Sequence, residues 1–303
     1  MNNLVLRKAA VAGSFYPRFK PDLIRTIESS FLDKEFGPGT LYEHSSEGSR
    51  TVLGGICPHA GYTYSGCCAV HTYLNIFKEK TPDVVIILGT DHIGIGKIAL
   101  LEEGEWETPL GNLEIDSELT KLILKSTKKI VADDSAFIGY PFGREHNIEV
   151  QLPFVKYCSK NKLVKIVPIK ISKYNYELLE EISKDLSNVI QSSTKDIVII
   201  ASSDMTHKEP KNVMNPQNDI QEMKNIDKEV INAFKEFNPL KTFQNARKTT
   251  VCGPQTITTL MLTCQKLNAK TCESLKYYTS YEKGGGTGPC EYSVGYFSGI
   301  IRK

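Results

Sequence analysis

Val84-Val85-Ile86-Ile87-Leu88-Gly89-Thr90-Asp91-His92 decides the fold: a β-branched apolar run is closed by a turn that ends on histidine. The same arrangement occurs twice more. Val52–Ile56 leads to Pro58-His59-Ala60-Gly61, and Ile197–Ala201 leads to Ser203-Asp204-Met205-Thr206-His207. Short continuous apolar runs bounded by turn residues read as strands buried on both faces, the pattern of a parallel sheet covered by helices. Open α/β sheets gather ligands outside the carboxyl ends of their strands. Three of the six histidines therefore fall where such a sheet places its chemistry.

Outward from these runs the periodicity alternates between strand and helix. Helices are expected at Lys20–Phe31, Ser65–Lys78, Ser117–Ser126, Glu145–Lys160, Tyr174–Ile190, Asp219–Phe237 and Thr256–Leu267, with Pro153 kinking the fourth or ending its first turn. Strands are expected at Thr51–Cys57, Asp83–Leu88, Ile130–Ala132, Leu163–Ile171 and Asp196–Ala201. A hairpin excursion within Lys97–Ile115 carries the only tryptophan, Trp106. Gly37–Arg50 reads as a surface loop. Two last strands, Ser274–Tyr281 and Tyr292–Ile301, flank a glycine-rich loop and so read as an antiparallel pair at an edge. The expectation is one α/β domain over residues 1–303, three layers (αβα) around a mixed, mostly parallel sheet.

Composition narrows the function. The 303 residues are 40% apolar and 24% charged with a net charge of +2, and no basic stripe interleaves with aromatics, so nucleic acid is not expected as a partner. No run approaches the roughly 20 apolar residues of a membrane helix. Met1–Ala12 lacks the apolar core of a signal peptide, so a cytoplasmic location is expected. The eight cysteines include no Cys-x-x-Cys pair, which argues against a zinc knuckle or a thioredoxin-like motif. The Gly94-Ile95-Gly96 spacing does not complete a dinucleotide fingerprint.

The chemistry-bearing residues point to a metal. Neutral imidazole is the commonest metal ligand, and two imidazoles with one anionic group form a recurring catalytic set. His59 and His92 supply the imidazoles. The anionic group is open among the carboxylates Asp91, Glu149 and Asp204 and the thiol of Cys252. Cys252 precedes a helix starting near Pro254, where the dipole favours thiolate. His146 and Glu149 stand three apart, a spacing that suits a proton relay, a substrate clamp or a plain surface pair. Asp204 suits the carboxylate that orients a ligand imidazole, and His207 suits general acid/base work.

Six ordered blocks carry a family resemblance: Ala10–Tyr16, Pro58–Gly66, Ile87–His92, Glu145–Pro153, Ser202–His207 and Val251–Gly253. Together they resemble the Memo family, which includes system protein B of the AmmeMemoRadiSam grouping and is related in fold to class III extradiol dioxygenases of the LigB type. The resemblance covers essentially the whole chain. It implies a metal pocket with ligands on His59, His92 and Cys252, iron or copper as the metal, and redox chemistry. It also implies a radical-SAM partner, alongside a small-molecule substrate or a peptide or protein partner. A cysteine stands where the dioxygenases have a carboxylate, which favours Cu(I) or Fe(II) over hard cations. Asp91-His92-Ile93 replaces the doubled histidine of animal members, and Thr206 their cysteine.

Three function classes follow. The first is an iron- or copper-dependent redox enzyme. The second is a non-catalytic peptide- or protein-binding module on a dioxygenase-like fold. The third is a cysteine hydrolase with Cys252 as nucleophile, His59 or His207 as base and Asp204 orienting it.

Overall fold

Side chains alternate across a strand, so a strand that is apolar at every position needs a core on each side. Val84–Thr90 is such a strand. Val84, Ile86 and Leu88 enter one hydrophobic core, while Val85 and Ile87 enter another on the opposite face. Ile197–Ser202 divides in the same way, with Ile197, Ile199 and Ala201 on one side and Val198 and Ile200 on the other. Burying an aliphatic side chain of this size contributes about 1.5–3 kcal/mol, so the central strands fix the register of the sheet.

The computed structural model describes residues 5–42, 49–138, 146–160 and 162–303. In chain order its elements are β1 (Leu6–Arg7), α1 (Lys20–Leu32), β2 (Val52–Cys57), α2 (Tyr62–Glu79), β3 (Val84–Thr90), β4 (Ile98–Leu100), β5 (Glu105–Trp106) and β6 (Leu113–Glu114). Then come α3 (Ser117–Ser126), β7 (Ile130–Ala132), α4 (Leu152–Ser159), β8 (Lys165–Ile171), α5 (Tyr176–Ser192), β9 (Ile197–Ser202) and β10 (His207–Lys208). The chain finishes with α6 (Gln217–Lys235), α7 (Pro239–Ala246), α8 (Pro254–Lys266), β11 (Thr271–Thr279), α9 (Ser280–Lys283) and β12 (Ser293–Arg302).

Among the described residues the main sheet has nine strands in the order β10-β12-β2-β9-β3-β8-β4-β7, with β11 paired to β12. The centre, β2-β9-β3-β8, is parallel, and antiparallel neighbours flank it: β12 beside β2, and β4 beside β8. Helices α1, α2 and α4 cover one face through residues such as Leu23, Phe31, Tyr73 and Phe154. Helices α3, α5, α6, α7 and α8 cover the other through Ile123, Ile182, Phe234, Phe243 and Leu260. This is a three-layer αβα fold on a mixed sheet. No helix among the described residues is long and apolar enough to cross a membrane.

Three expectations change. The segment read as one helix from Glu145 to Lys160 is a turn, a 3-10 turn at Glu149–Gln151, and then α4. Glu145 itself lies outside the described residues. Pro153 sits in the first turn of α4, where its missing N–H costs nothing, so it starts the helix instead of kinking it. The final strands pair antiparallel as expected, but only β11 is an edge. β12 is buried along almost its whole length because it bridges β11 and β2. Helix α7 was not anticipated, although Asn238 caps it by accepting from the Lys241 N–H at 3.0 Å, just before Pro239.

Candidate metal centre

Because β2, β9 and β3 are adjacent and parallel, their carboxyl ends bring His59, Ser202–Asp204 and His92 to one spot. Cys252 reaches the same spot from the loop before α8, where its backbone N–H donates to the Asp204 carbonyl at 3.1 Å. One ligand atom each from His59, His92 and Cys252 lie within 4.8 Å of one another, a grouping that can hold a metal ion. Asp204, His207 and Cys252 form a second such group sharing the thiol. The donor chemistry fits a borderline or soft cation: two imidazoles and one sulfur.

His59 is 2% exposed, and its hydrogen bonds determine its tautomer. Gln151 must point its amide nitrogen at the Pro58 carbonyl, 2.9 Å away, and the same nitrogen donates to Ser202 Oγ at 2.9 Å. Ser202 Oγ in turn donates to the Asn147 carbonyl at 2.6 Å, which uses its only proton. The remaining contact, 3.1 Å from His59 Nδ1, must then be donated by the ring. Nε2 is left with its lone pair. Burial, reinforced by the imidazoles of His92, His146 and His207, holds His59 well below the usual histidine range and so neutral.

Asp204 does not take the orienting place expected of it, which belongs to Ser202. Its Oδ1 accepts from the His59 backbone N–H at 2.7 Å, and Oδ2 lies 3.9 Å from His59 Nε2. Burial pushes its carboxyl up to about 7, against the N–H groups and the His92 ring that favour the charged form. His207 is bridged on both sides. Its Nδ1 lies 2.5 Å from the Tyr292 hydroxyl, and its Nε2 lies 3.2 Å from Cys252 Sγ. Burial lowers its pKa, with His92 adding to the effect.

His146 and Glu149 part company. The His146 ring faces His59 and His92, with centroids 5.6 and 5.5 Å away, and packs on Phe15 at 4.3 Å. Glu149 points the other way and is fully buried. It accepts from the N–H groups of Ala10 and Val11 at 3.0 and 2.8 Å, from Tyr16 Oη at 2.8 Å and from Arg7. The pair shares no helix face because the turn and the 3-10 turn rotate them apart. Glu149 instead clamps the Ala10–Tyr16 segment whose Phe15 backs His146. Asp91 is likewise occupied: it accepts from the N–H groups of Gly94 and Gly96 at 2.9 and 3.1 Å and from Ser172 Oγ, and these bonds hold its pKa down against the desolvation that raises it.

Close packing of the Asn147 and Ile148 side chains explains the glycine at position 89. A Cβ on Gly89 would stand 2.2 Å from Asn147 Oδ1 and 2.4 Å from Ile148 Cγ1. Gly89→Ala is therefore expected to push the 146–148 segment off β3 and to destabilise the fold by about 1–3 kcal/mol, read as a lower midpoint of urea unfolding.

Asn147, Gln151, Ser202 and Tyr292 were not singled out by the sequence. Ser202, a lone polar residue at the buried end of an apolar strand, carried the one readable signal. A cleft of about 860 Å³ opens over His92 and Cys252, bounded by the loops after β3 and β8 and by the start of α8.

Known proteins agree with this architecture. A MEMO1 family protein of Methanobrevibacter smithii is 35% identical over 300 residues, covering 98% of this chain and 100% of the relative. One from Sulfurisphaera tokodaii is 37% identical over 300 residues, covering 97% and 98%. The crystal structure of an uncharacterised Escherichia coli K12 protein matches 82% of this chain and 99% of its own with a TM-score of 0.51, a likeness of fold alone at 10% identity. The Memo-like protein family matches residues 7–300, and the chain belongs to that family.

Proposed function

We propose that this chain is an iron- or copper-dependent redox enzyme acting on a small molecule, with His59, His92 and Cys252 as metal ligands. The observation that carries the reading is the convergence of two imidazoles and one thiol within 4.8 Å beneath a cleft large enough for a substrate. A bound metal would supply the redox centre; the protein supplies the rest. Ser202 presents the free Nε2 of His59. Asp204 and His207 stand beside the thiol as proton-handling groups, and Tyr292 extends that chain outward. His146, seated against Phe15, faces the rings of His59 and His92.

Protein purified without air is expected to carry close to one equivalent of iron or copper, and His59→Ala and Cys252→Ser to lose it. Metal-free wild type would overturn the reading. The 3.2 Å contact of His207 Nε2 with Cys252 Sγ supports a second reading, a cysteine hydrolase. Activity that survives chelation and disappears in Cys252→Ser would favour it. A peptide- or protein-binding module, with or without a radical-SAM partner, would retain its partner after both pocket histidines are removed.

A further inference from the structure

The cleft above Cys252 has a charge character that the metal ligands do not explain. Lys173, after β8, and Arg247, after α7, both line it. Both are exposed, and neither has an ion-pair partner among the described residues; Arg247 rests its guanidinium carbon 5.4 Å from the Phe243 ring centroid. The one carboxylate in the lining, Asp91, is already committed to Gly94, Gly96 and Ser172. The same cleft is lined by the start of the 13-residue helix α8, whose first N–H groups have no acceptor within the helix. Gln255, in its first turn, is only 7% exposed, faces this cleft and has no hydrogen-bond partner among the described residues. Its amide is reachable from the cleft, so its hydrogen-bonding capacity is open to a ligand there.

We propose that Lys173, Arg247, the Gln255 amide and the first turn of α8 form an oxyanion subsite that seats the carboxylate or phosphate head of a small organic anion. The inference rests on reading the cleft as the substrate site and names the substrate class. Two cations and a helix N-terminus favour negative charge, and the amide adds a directional donor. The head group is held beside the metal ligands, so the body of the molecule lies over His92 and Cys252.

The test is calorimetric titration of the full-length protein with benzoate, benzamide and inorganic phosphate at low salt. Wild type is expected to bind benzoate saturably and benzamide not at all. The double variant Lys173→Gln/Arg247→Gln should bind about tenfold or more weakly, the loss expected when charge-assisted hydrogen bonds go, with an unchanged circular dichroism spectrum. Phosphate binding in place of benzoate supports the same subsite with a phosphate ester as its source. Equal binding of benzamide, no change in the double variant, or no binding of either anion overturns the proposal. The titration is repeated on Cys252→Ser. Cys252→Ser is expected to keep benzoate while losing metal. Wild-type protein that binds benzoate but takes no metal contradicts the redox reading alone, and wild-type protein that takes metal but no anion contradicts the subsite alone.

Discussion

Glu149→Ala is expected to lose about 3–5 kcal/mol of folding stability, the cost of leaving a buried cation without its partner. Glu149 is fully buried, and Arg7 is only 2% exposed. Arg7 also stacks over Trp106, with its guanidinium carbon 4.3 Å from the ring centroid, so it cannot swing into water without giving up that contact. The two N–H groups of Ala10 and Val11 and the Tyr16 hydroxyl would lose their acceptor as well. Urea unfolding reads the effect as a lower midpoint with an unchanged slope. Glu149→Gln keeps the volume and part of the bonding, so it should fall between wild type and alanine. A loss below about 1 kcal/mol for alanine, the worth of an exposed pair, would show that the N-terminal segment is not anchored as described.

Ser202→Ala is expected to weaken metal binding by about 10–100-fold, the usual cost of removing the partner that orients a ligand histidine. Without Oγ, the His59 Nδ1–H and one Gln151 N–H are stranded, and the ring is free to rotate or change tautomer. Ser202→Thr keeps the hydroxyl and should recover most of the affinity. Competition with a chromogenic chelator under nitrogen measures both. Equal affinities in wild type and Ser202→Ala would mean that His59 is oriented by something other than this hydroxyl.

The parts of the fold that were readable in the sequence share a cause. Apolar runs such as Val84–Leu88 and Ile197–Ala201 must be buried on both faces, and their shared direction then brings their terminal turns together, so His59, His92 and Asp204 could be placed near one another without coordinates. Helix α3 spans the range expected from the sequence, Ser117–Ser126, and the structure adds its cap: Asp116 accepts from the Leu119 N–H at 3.0 Å.

What stayed hidden depends on contacts far apart in the chain. Glu149 reads as a relay or ligand until Arg7, 142 residues earlier, meets it. The burial of β12 depends on its pairing with β2, and a short glycine-rich loop says only that β11 lies beside it. The Gln151–Ser202–His59 chain has no spacing signature, because amides and hydroxyls occur everywhere and only the fold selects these. Carboxylates usually orient a ligand imidazole, which points to Asp204 in the sequence, yet in the fold its Oδ1 accepts from the His59 backbone N–H.

The central claim is that the two histidines and the cysteine share one metal ion, and X-ray absorption on protein loaded with Cu(I) or Fe(II) without oxygen tests it most directly. The account predicts one sulfur and at least two nitrogen scatterers around the metal, with the sulfur lost in Cys252→Ser and one nitrogen lost in His59→Ala. A metal environment without sulfur in the wild type, or one that neither substitution alters, would contradict it.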